Sequence, residues 1–369
     1  MKKVLFLIHD LGQGGAEKVL VNLVNNMDRS KFDITVMSLF SGGINEQFLK
    51  KDIRYITIYK HMIRGNSTFM KILSPKVLHR LYIKDTYDIE VAYLEGPCAR
   101  IISGCVNPNT KLVSWIHVEQ HTMSNLSKSF RNSKEAQQCY AKFNKVICVS
   151  EYVKNDFMSI LNCNNSCSVL YNTIESEKII ELSKQDIDIN FDSNSLNLIA
   201  VGTLKKSKGY YRMLEVVDRL TDEGIDVCLY ILGKGSLQEE LIKRVKMKKL
   251  DKKVIFLGYD TNPYRYVSKA DLFICASYSE GFSTATTESL IVGTPVCTVE
   301  VSGMKEMLGD NNEYGVVTRN NEDSLYKGIR QLALDKDLLN YYKKQAKIRG
   351  EYFNKNNTVR AVEEMLIKL

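Results

Sequence analysis

The chain has 369 residues, 44% hydrophobic and 25% charged, which allows two ordinary domains with separate cores and excludes a disordered or fibrous chain. Its formal net charge of +8 favours anionic partners (nucleotides, lipid phosphates, a membrane surface or nucleic acid) without choosing among them. No apolar run reaches the length that crosses a bilayer, and nine irregularly spaced cysteines point to reduced thiols.

The basic start and short apolar run at residues 1–8 resemble a signal peptide, but the run ends in a glycine loop without a small-x-small cleavage site, so a first strand is expected. Further strands are expected at 34–39, 55–58, 89–93, 111–115, 146–150 and 169–171. A helix begins near Gly15 with Val19, Leu20, Leu23 and Val24 on one face. Ser74-Pro75 and Ser150 are helix starts. Cys163 and Cys167 are the closest cysteine pair, and nothing nearby completes a zinc site. Residues 175–196 turn polar and read as a linker, with Asp186 and Asp188 assigned to solvent. Strand–helix alternation then restarts at 197, and the tail reads as an amphipathic helix. The expected organisation is an α/β chain with parallel sheets: a first domain over 1–174, a linker over 175–196, a second domain over 197–350 and a terminal helix over 351–369. A ligand is expected in the cleft between the domains.

The chemistry-bearing residues gather where strands end. Gly12, Gly14 and Gly15 follow the first strand, as in loops that let backbone approach a phosphate or sugar. The dinucleotide fingerprint is incomplete, because Glu17 stands where a third glycine belongs and Ser38 ends the second strand without an acid, so a dehydrogenase is disfavoured. Gly202 is followed by Lys205, Lys206 and Lys208 ahead of a helix, a placement suited to a diphosphate. Gly233 and Gly235 repeat the strand–glycine–helix form where backbone can pass a base or ribose. Glu280, Gly281, Phe282, Ser283 and Thr284 lead into a helix bearing Glu288, so two acids straddle a helix N-terminus. His117 ends the strand over 111–115; with Glu119 and His121 it forms His-x-Glu-x-His, for which a metal site is the weaker reading. Each segment alone is also compatible with an ordinary turn, a solvated loop or a satisfied polar residue. Lys76, Arg80 and Lys84 form a basic stripe beside Val77, Leu78, Leu81 and Tyr82, compatible with a membrane surface or a plain surface helix. Residues 123–134 read as a mobile loop.

Taken in order, these segments resemble the large retaining glycosyltransferase family of bacterial polysaccharide synthesis, whose fold is GT-B: two Rossmann-like domains facing across a cleft, with the terminal helix returning to the first. The resemblance rests on Glu280 and Glu288 as the Glu-x7-Glu motif, GGAEK at 14–18, His117, VSE at 149–151, LYNTI at 170–174, GTLKKSKG at 202–209 and LGKGSLQEEL at 232–241. It implies that Lys208 neutralises the donor diphosphate, helped by backbone N–H groups near Gly14, Gly15 and residues 282–284. It further implies that Glu288 holds the ribose, Glu280 the sugar hydroxyls near the reacting carbon, and His117 the sugar from the other domain. The family usually has an arginine where Thr203 stands, so Lys205 or Lys206 must compensate or the diphosphate is held less tightly. The implied reaction moves a hexose or N-acetylhexosamine from a nucleoside diphosphate sugar, UDP-sugar favoured, to a lipid-diphosphate-linked saccharide. It retains configuration, uses no metal or cofactor, and takes place at the cytoplasmic face of the cell membrane in capsule or O-antigen assembly. A protein or small-molecule acceptor, a phosphorylase-like or sugar-nucleotide-modifying activity, and a non-catalytic binding protein are the alternatives. A nucleic-acid binder is poorly supported, because the basic residues are dispersed without aromatic interleaving.

Overall fold

The structure is a computed structural model that describes residues 1–61, 70–161 and 167–369; Cys163 lies outside them. The chain forms two compact units, Met1–Ile174 with Asn356–Leu369, and Glu175–Lys355.

The first unit is built on seven parallel strands: β1 (Lys2–Ile8), β2 (Phe32–Phe40), β3 (Arg54–Tyr59), β4 (Ile89–Ala92), β5 (Lys111–Ile116), β6 (Lys145–Cys148) and β7 (Cys167–Val169). Their order is β3-β2-β1-β4-β5-β6-β7. Val4 to Ile8 of β1 are wholly buried, as expected of a strand covered on both faces. The helix Gly15–Asn26 buries Val19, Leu20, Leu23 and Val24, the spacing read from sequence. Ser74 and Ser150 cap the helices Pro75–Tyr82 and Glu151–Ile160 by accepting the N–H groups of Val77 and Val153. The final helix, Lys355–Ile367, buries Val359, Val362 and Leu366. Lys2 Nζ donates to the carbonyls of Leu366 and Ile367, and Glu363 accepts the Asp28 N–H at 2.6 Å, so this helix closes the first unit.

The second unit carries β8 (Leu196–Val201), β9 (Val227–Leu232), β10 (Val254–Gly258), β11 (Leu272–Cys275), β12 (Val296–Val299) and β13 (Val316–Thr318). All are parallel, in the order β10-β9-β8-β11-β12-β13. In both sheets the order reverses beside the first strand, at β1/β4 and at β8/β11. Such switch points splay the following loops apart and leave a crevice at the carboxyl ends.

Three expectations change. The expected linker holds a helix, Ser176–Ser183, with Ile179 buried, and belongs to the second unit. Asn262 Nδ2 and Ser268 Oγ donate to the Leu182 and Ser183 carbonyls, tying its end to that unit. Asp188 is not merely solvated: it accepts the Tyr266 hydroxyl at 2.5 Å, while Arg265 holds the Asp186 carbonyl. The expected loop at 123–134 holds the helix Met123–Leu126, capped by Thr122, and Arg131 Nε donates to the Lys71 carbonyl at 2.7 Å.

Candidate active site

The β8/β11 switch point gathers a charged cluster. Glu280 Oε1 accepts from Lys208 Nζ at 2.6 Å and from Ser277 Oγ at 2.6 Å. The Glu280 side chain is 11% exposed and that of Lys208 27%, so the pair is shielded without being sealed. Two loops must meet for this contact to form. Gly209, at φ 69°, ends the turn Lys206–Lys208, and a Cβ there would overlap the Ala276 carbonyl. The Tyr278 N–H donates to the Ser207 carbonyl at 2.8 Å and completes the lacing. Glu280 Oε2 has no hydrogen-bond partner among the described residues, so one oxygen is anchored and the other retains acceptor capacity.

The helix Thr284–Ile291 begins four residues beyond Glu280. Ser283 caps it, accepting from Thr286 N at 3.3 Å and Thr286 Oγ1 at 3.0 Å. Its first-turn N–H groups lack intrahelical partners by geometry and carry the positive dipole end. The Phe282 ring is buried against Phe353 at 5.9 Å, so its side chain is taken up by packing. Glu288 is 7% exposed and takes the Tyr264 hydroxyl at 3.3 Å. Thr203, Lys205 and Lys206 are exposed, and neither lysine has an ion pair among the described residues. Gly233, at φ 146°, packs against the Gly202 carbonyl, and Gly235 against the Leu204 backbone, so these glycines let two strand-end loops touch.

The first unit brings other groups to the carboxyl edge of its sheet. Gly14 is the N-cap of Gly15–Asn26, and the Glu17 carboxylate lies over it, placing an acid where the sequence suggests a phosphate. His117 follows β5 and is 7% exposed. Burial pushes its imidazole down to about 3, opposed by a hydrogen bond to the Tyr93 backbone. His117 is therefore neutral near pH 7, and its Nε2 is buried without a partner among the described residues.

Glu95 was not singled out in the sequence. It follows β4 at the β1/β4 switch point, accepting the His117 N–H at 3.2 Å and Gln120 Nε2 at 3.4 Å. Burial raises its pKa above the usual carboxylate range, opposed by these and its own backbone hydrogen bonds. The legible signal is an acid between the end of β4 and the helix start Gly96-Pro97.

His-x-Glu-x-His does not act as one group. β5 ends at Ile116, His121 turns to φ 60°, and Glu119 and His121 gather with Asp156 rather than with His117. Asp156 accepts the N–H groups of Gln120 and His121, which gives it a structural role in this turn.

Two parallel-sheet Rossmann-like units, each with polar groups at its switch point, define an α/β protein of GT-B type. The model for glycosyl transferases group 1 matches residues 183–349, and that for glycosyltransferase family 4 matches residues 13–178. The chain belongs to the group 1 glycosyltransferases. It is 28% identical, over the full length of both chains, to the N-acetylgalactosamine-N,N'-diacetylbacillosaminyl-diphospho-undecaprenol 4-alpha-N-acetylgalactosaminyltransferase of Campylobacter jejuni. A second C. jejuni enzyme, a GalNAc-alpha-(1->4)-GalNAc-alpha-(1->3)-diNAcBac-PP-undecaprenol alpha-1,4-N-acetyl-D-galactosaminyltransferase, is 26% identical with 94% of each chain covered. Among solved structures, Anabaena HepE in complex with UDP and glucose superposes with TM-score 0.78 at 19% identity, covering 100% of both chains. Sucrose-phosphate synthase from Thermosynechococcus elongatus reaches 0.81 at 13%, covering 100% of this chain and 99% of that one.

Proposed function

We propose that this glycosyltransferase moves a hexose or N-acetylhexosamine from a nucleoside diphosphate sugar, UDP-sugar favoured, to a lipid-diphosphate-linked saccharide, with retention of configuration. The lipid-linked acceptor is suggested by the undecaprenol-diphosphate substrates named for the two C. jejuni relatives. UDP is suggested by the HepE complex. Such an acceptor puts the reaction at a membrane, here its cytoplasmic face, in assembly of a surface polysaccharide such as capsule or O-antigen.

The observation that carries the reading is the Lys208–Glu280–Ser277 cluster at the β8/β11 switch point. As the sugar–phosphate bond breaks, negative charge grows on the leaving diphosphate. Lys208, Lys205 and Lys206 supply cations, and the first-turn N–H groups of Thr284–Ile291 supply fixed dipoles, that stabilise it. These groups take the part of the arginine that Thr203 replaces, and no metal is assigned to the step. Lys208 then exchanges Glu280 for phosphate, and the released carboxylate takes sugar hydroxyls near the reacting carbon. Glu288 binds the ribose hydroxyls in place of Tyr264, Gly233 passes the nucleoside, and His117 Nε2 accepts a sugar hydroxyl. Gly14 and Gly15 offer backbone N–H groups to the diphosphate once the Glu17 carboxylate moves aside. No protein nucleophile is needed: a departing phosphate oxygen takes the acceptor proton as the new bond forms on the same face.

The test is diphosphonucleoside release from a panel of nucleotide sugars, with and without lipid extract. Lys208→Ala and Glu280→Ala should each lower turnover by about 10²–10³-fold in folded protein. Wild-type-like turnover in both variants would overturn the site. Free sugar phosphate or an epimerised sugar nucleotide as product would overturn the transfer.

A further inference from the structure

Away from these groups, three ligating side chains from three elements converge in the first unit. His79 lies on the helix Pro75–Tyr82, Glu90 on β4, and Cys105 just after the helix Pro97–Ile102. One ligand atom from each lies within 4.8 Å of the other two. Glu90 is the unusual member. It sits on a central strand with its side chain 2% exposed, where a carboxylate is costly unless a cation or several donors meet it. His79 Nε2 meets Glu90 Oε2 at 2.8 Å, and the Cys105 thiol lies within 4.8 Å of the ligating atoms of both.

We propose that His79, Glu90 and Cys105 form a binding site for one zinc-class divalent ion, with solvent in the fourth position. A thiolate, an imidazole and a carboxylate make a donor set for zinc; the sulfur disfavours magnesium and calcium. Tetrahedral zinc holds such ligand atoms about 3.5 Å apart, so the three groups need only small side-chain adjustments. The frame around them is tight. A Cβ at Gly104 would overlap the Pro75 carbonyl and meet His79 Cβ at 2.9 Å, so the chain segment bearing Cys105 is pressed against the His79 helix. Cys105 and His79 are only partly buried, which gives an ion access from one side. The competing arrangement is a plain imidazolium–carboxylate pair. Zinc takes a thiolate, a neutral imidazole and a carboxylate, so its binding releases the protons these groups carry and weakens as the pH falls.

Cobalt(II) titration of the full chain tests the site without reference to turnover. The expected result is a thiolate-to-cobalt charge-transfer band that saturates at one equivalent and is bleached by zinc. Cys105→Ser should abolish the band while its metal-free thermal midpoint stays near wild type. Glu90→Gln and His79→Gln should each weaken cobalt binding by more than about tenfold. Zinc should also raise the thermal midpoint of the wild type and not that of Cys105→Ser, since it binds the folded state. No band, or a band that persists in Cys105→Ser, would overturn the site and leave the ion pair as the whole explanation.

Discussion

His117 shows at the level of one side chain what burial does to chemistry. An unfolded histidine titrates near about 6.5, whereas the buried imidazole is pushed down to about 3. Between these values the unfolded chain binds a proton that the native chain refuses. Stability from this residue is therefore intact above about 6.5 and falls as the pH drops toward about 3, by about 1.4 kcal/mol per pH unit for one proton. His117→Asn should flatten that acid limb in urea unfolding measured from pH 7 to pH 4. An unchanged slope would mean that His117 is not held neutral by burial. At the same scale, the sequence marked Lys208, Glu280 and His117 because strand ends concentrate function, and Glu288 because it pairs with Glu280 across a helix start. It did not disclose that Lys208 and Glu280 hold each other, since that contact joins loops separated by 72 positions. Nor did it disclose Glu95, whose interest lies in its burial and in the backbone it holds, neither of which has a sequence pattern.

At the scale of elements, periodicity and caps were the readable part. Ser74 and Ser150 cap where expected, and the parallel strands occupy nearly the expected spans, with β7 beginning two residues early. The helix Ser176–Ser183 was obscured because its polar residues outnumber the few, such as Ile179, that it buries. The basic helix Pro75–Tyr82 is instructive in the other direction. Leu78 alone is its buried apolar residue, whereas Val77 and Leu81 are 47% and 48% exposed beside the exposed Lys76, Arg80 and Lys84. Cations bordering exposed aliphatic side chains suit an anionic lipid surface, at about 1 kcal/mol per basic residue near it. Replacing Lys76, Arg80 and Lys84 by Ser should reduce binding to anionic vesicles by about 10²-fold at low salt and remove its salt sensitivity. Vesicle co-sedimentation that is unchanged in this triple variant would exclude the stripe as the contact.

For the whole molecule, alternating strand and helix signals were enough to anticipate two parallel sheets, because a strand buried on both faces must be apolar throughout. Strand order and the terminal crossover depend on contacts between distant segments, and resemblance rather than pattern carried the expectation that the last helix returns. The structure gives that return a physical basis in Val359, Val362 and Leu366, with Lys2 and Glu363 fixing the helix at its rim. Fully burying side chains of this kind contributes roughly 1.5–3 kcal/mol each, a large share of the 5–15 kcal/mol that typically holds a domain together. Removal of residues 356–369 should therefore weaken the first unit selectively. Trp115 is the chain's only tryptophan and lies buried on β5, so its fluorescence reports that unit alone. In guanidinium, the Trp115 transition of the truncated chain should move to clearly lower denaturant, and Leu366→Ala should move it part of the way, by about 2–5 kcal/mol. The second unit retains its own core around Leu198, Leu214, Leu229 and Ile274, so the remaining far-ultraviolet transition should hold its midpoint. A Trp115 transition unmoved by the truncation would show that the helix rests on the first unit without supporting it.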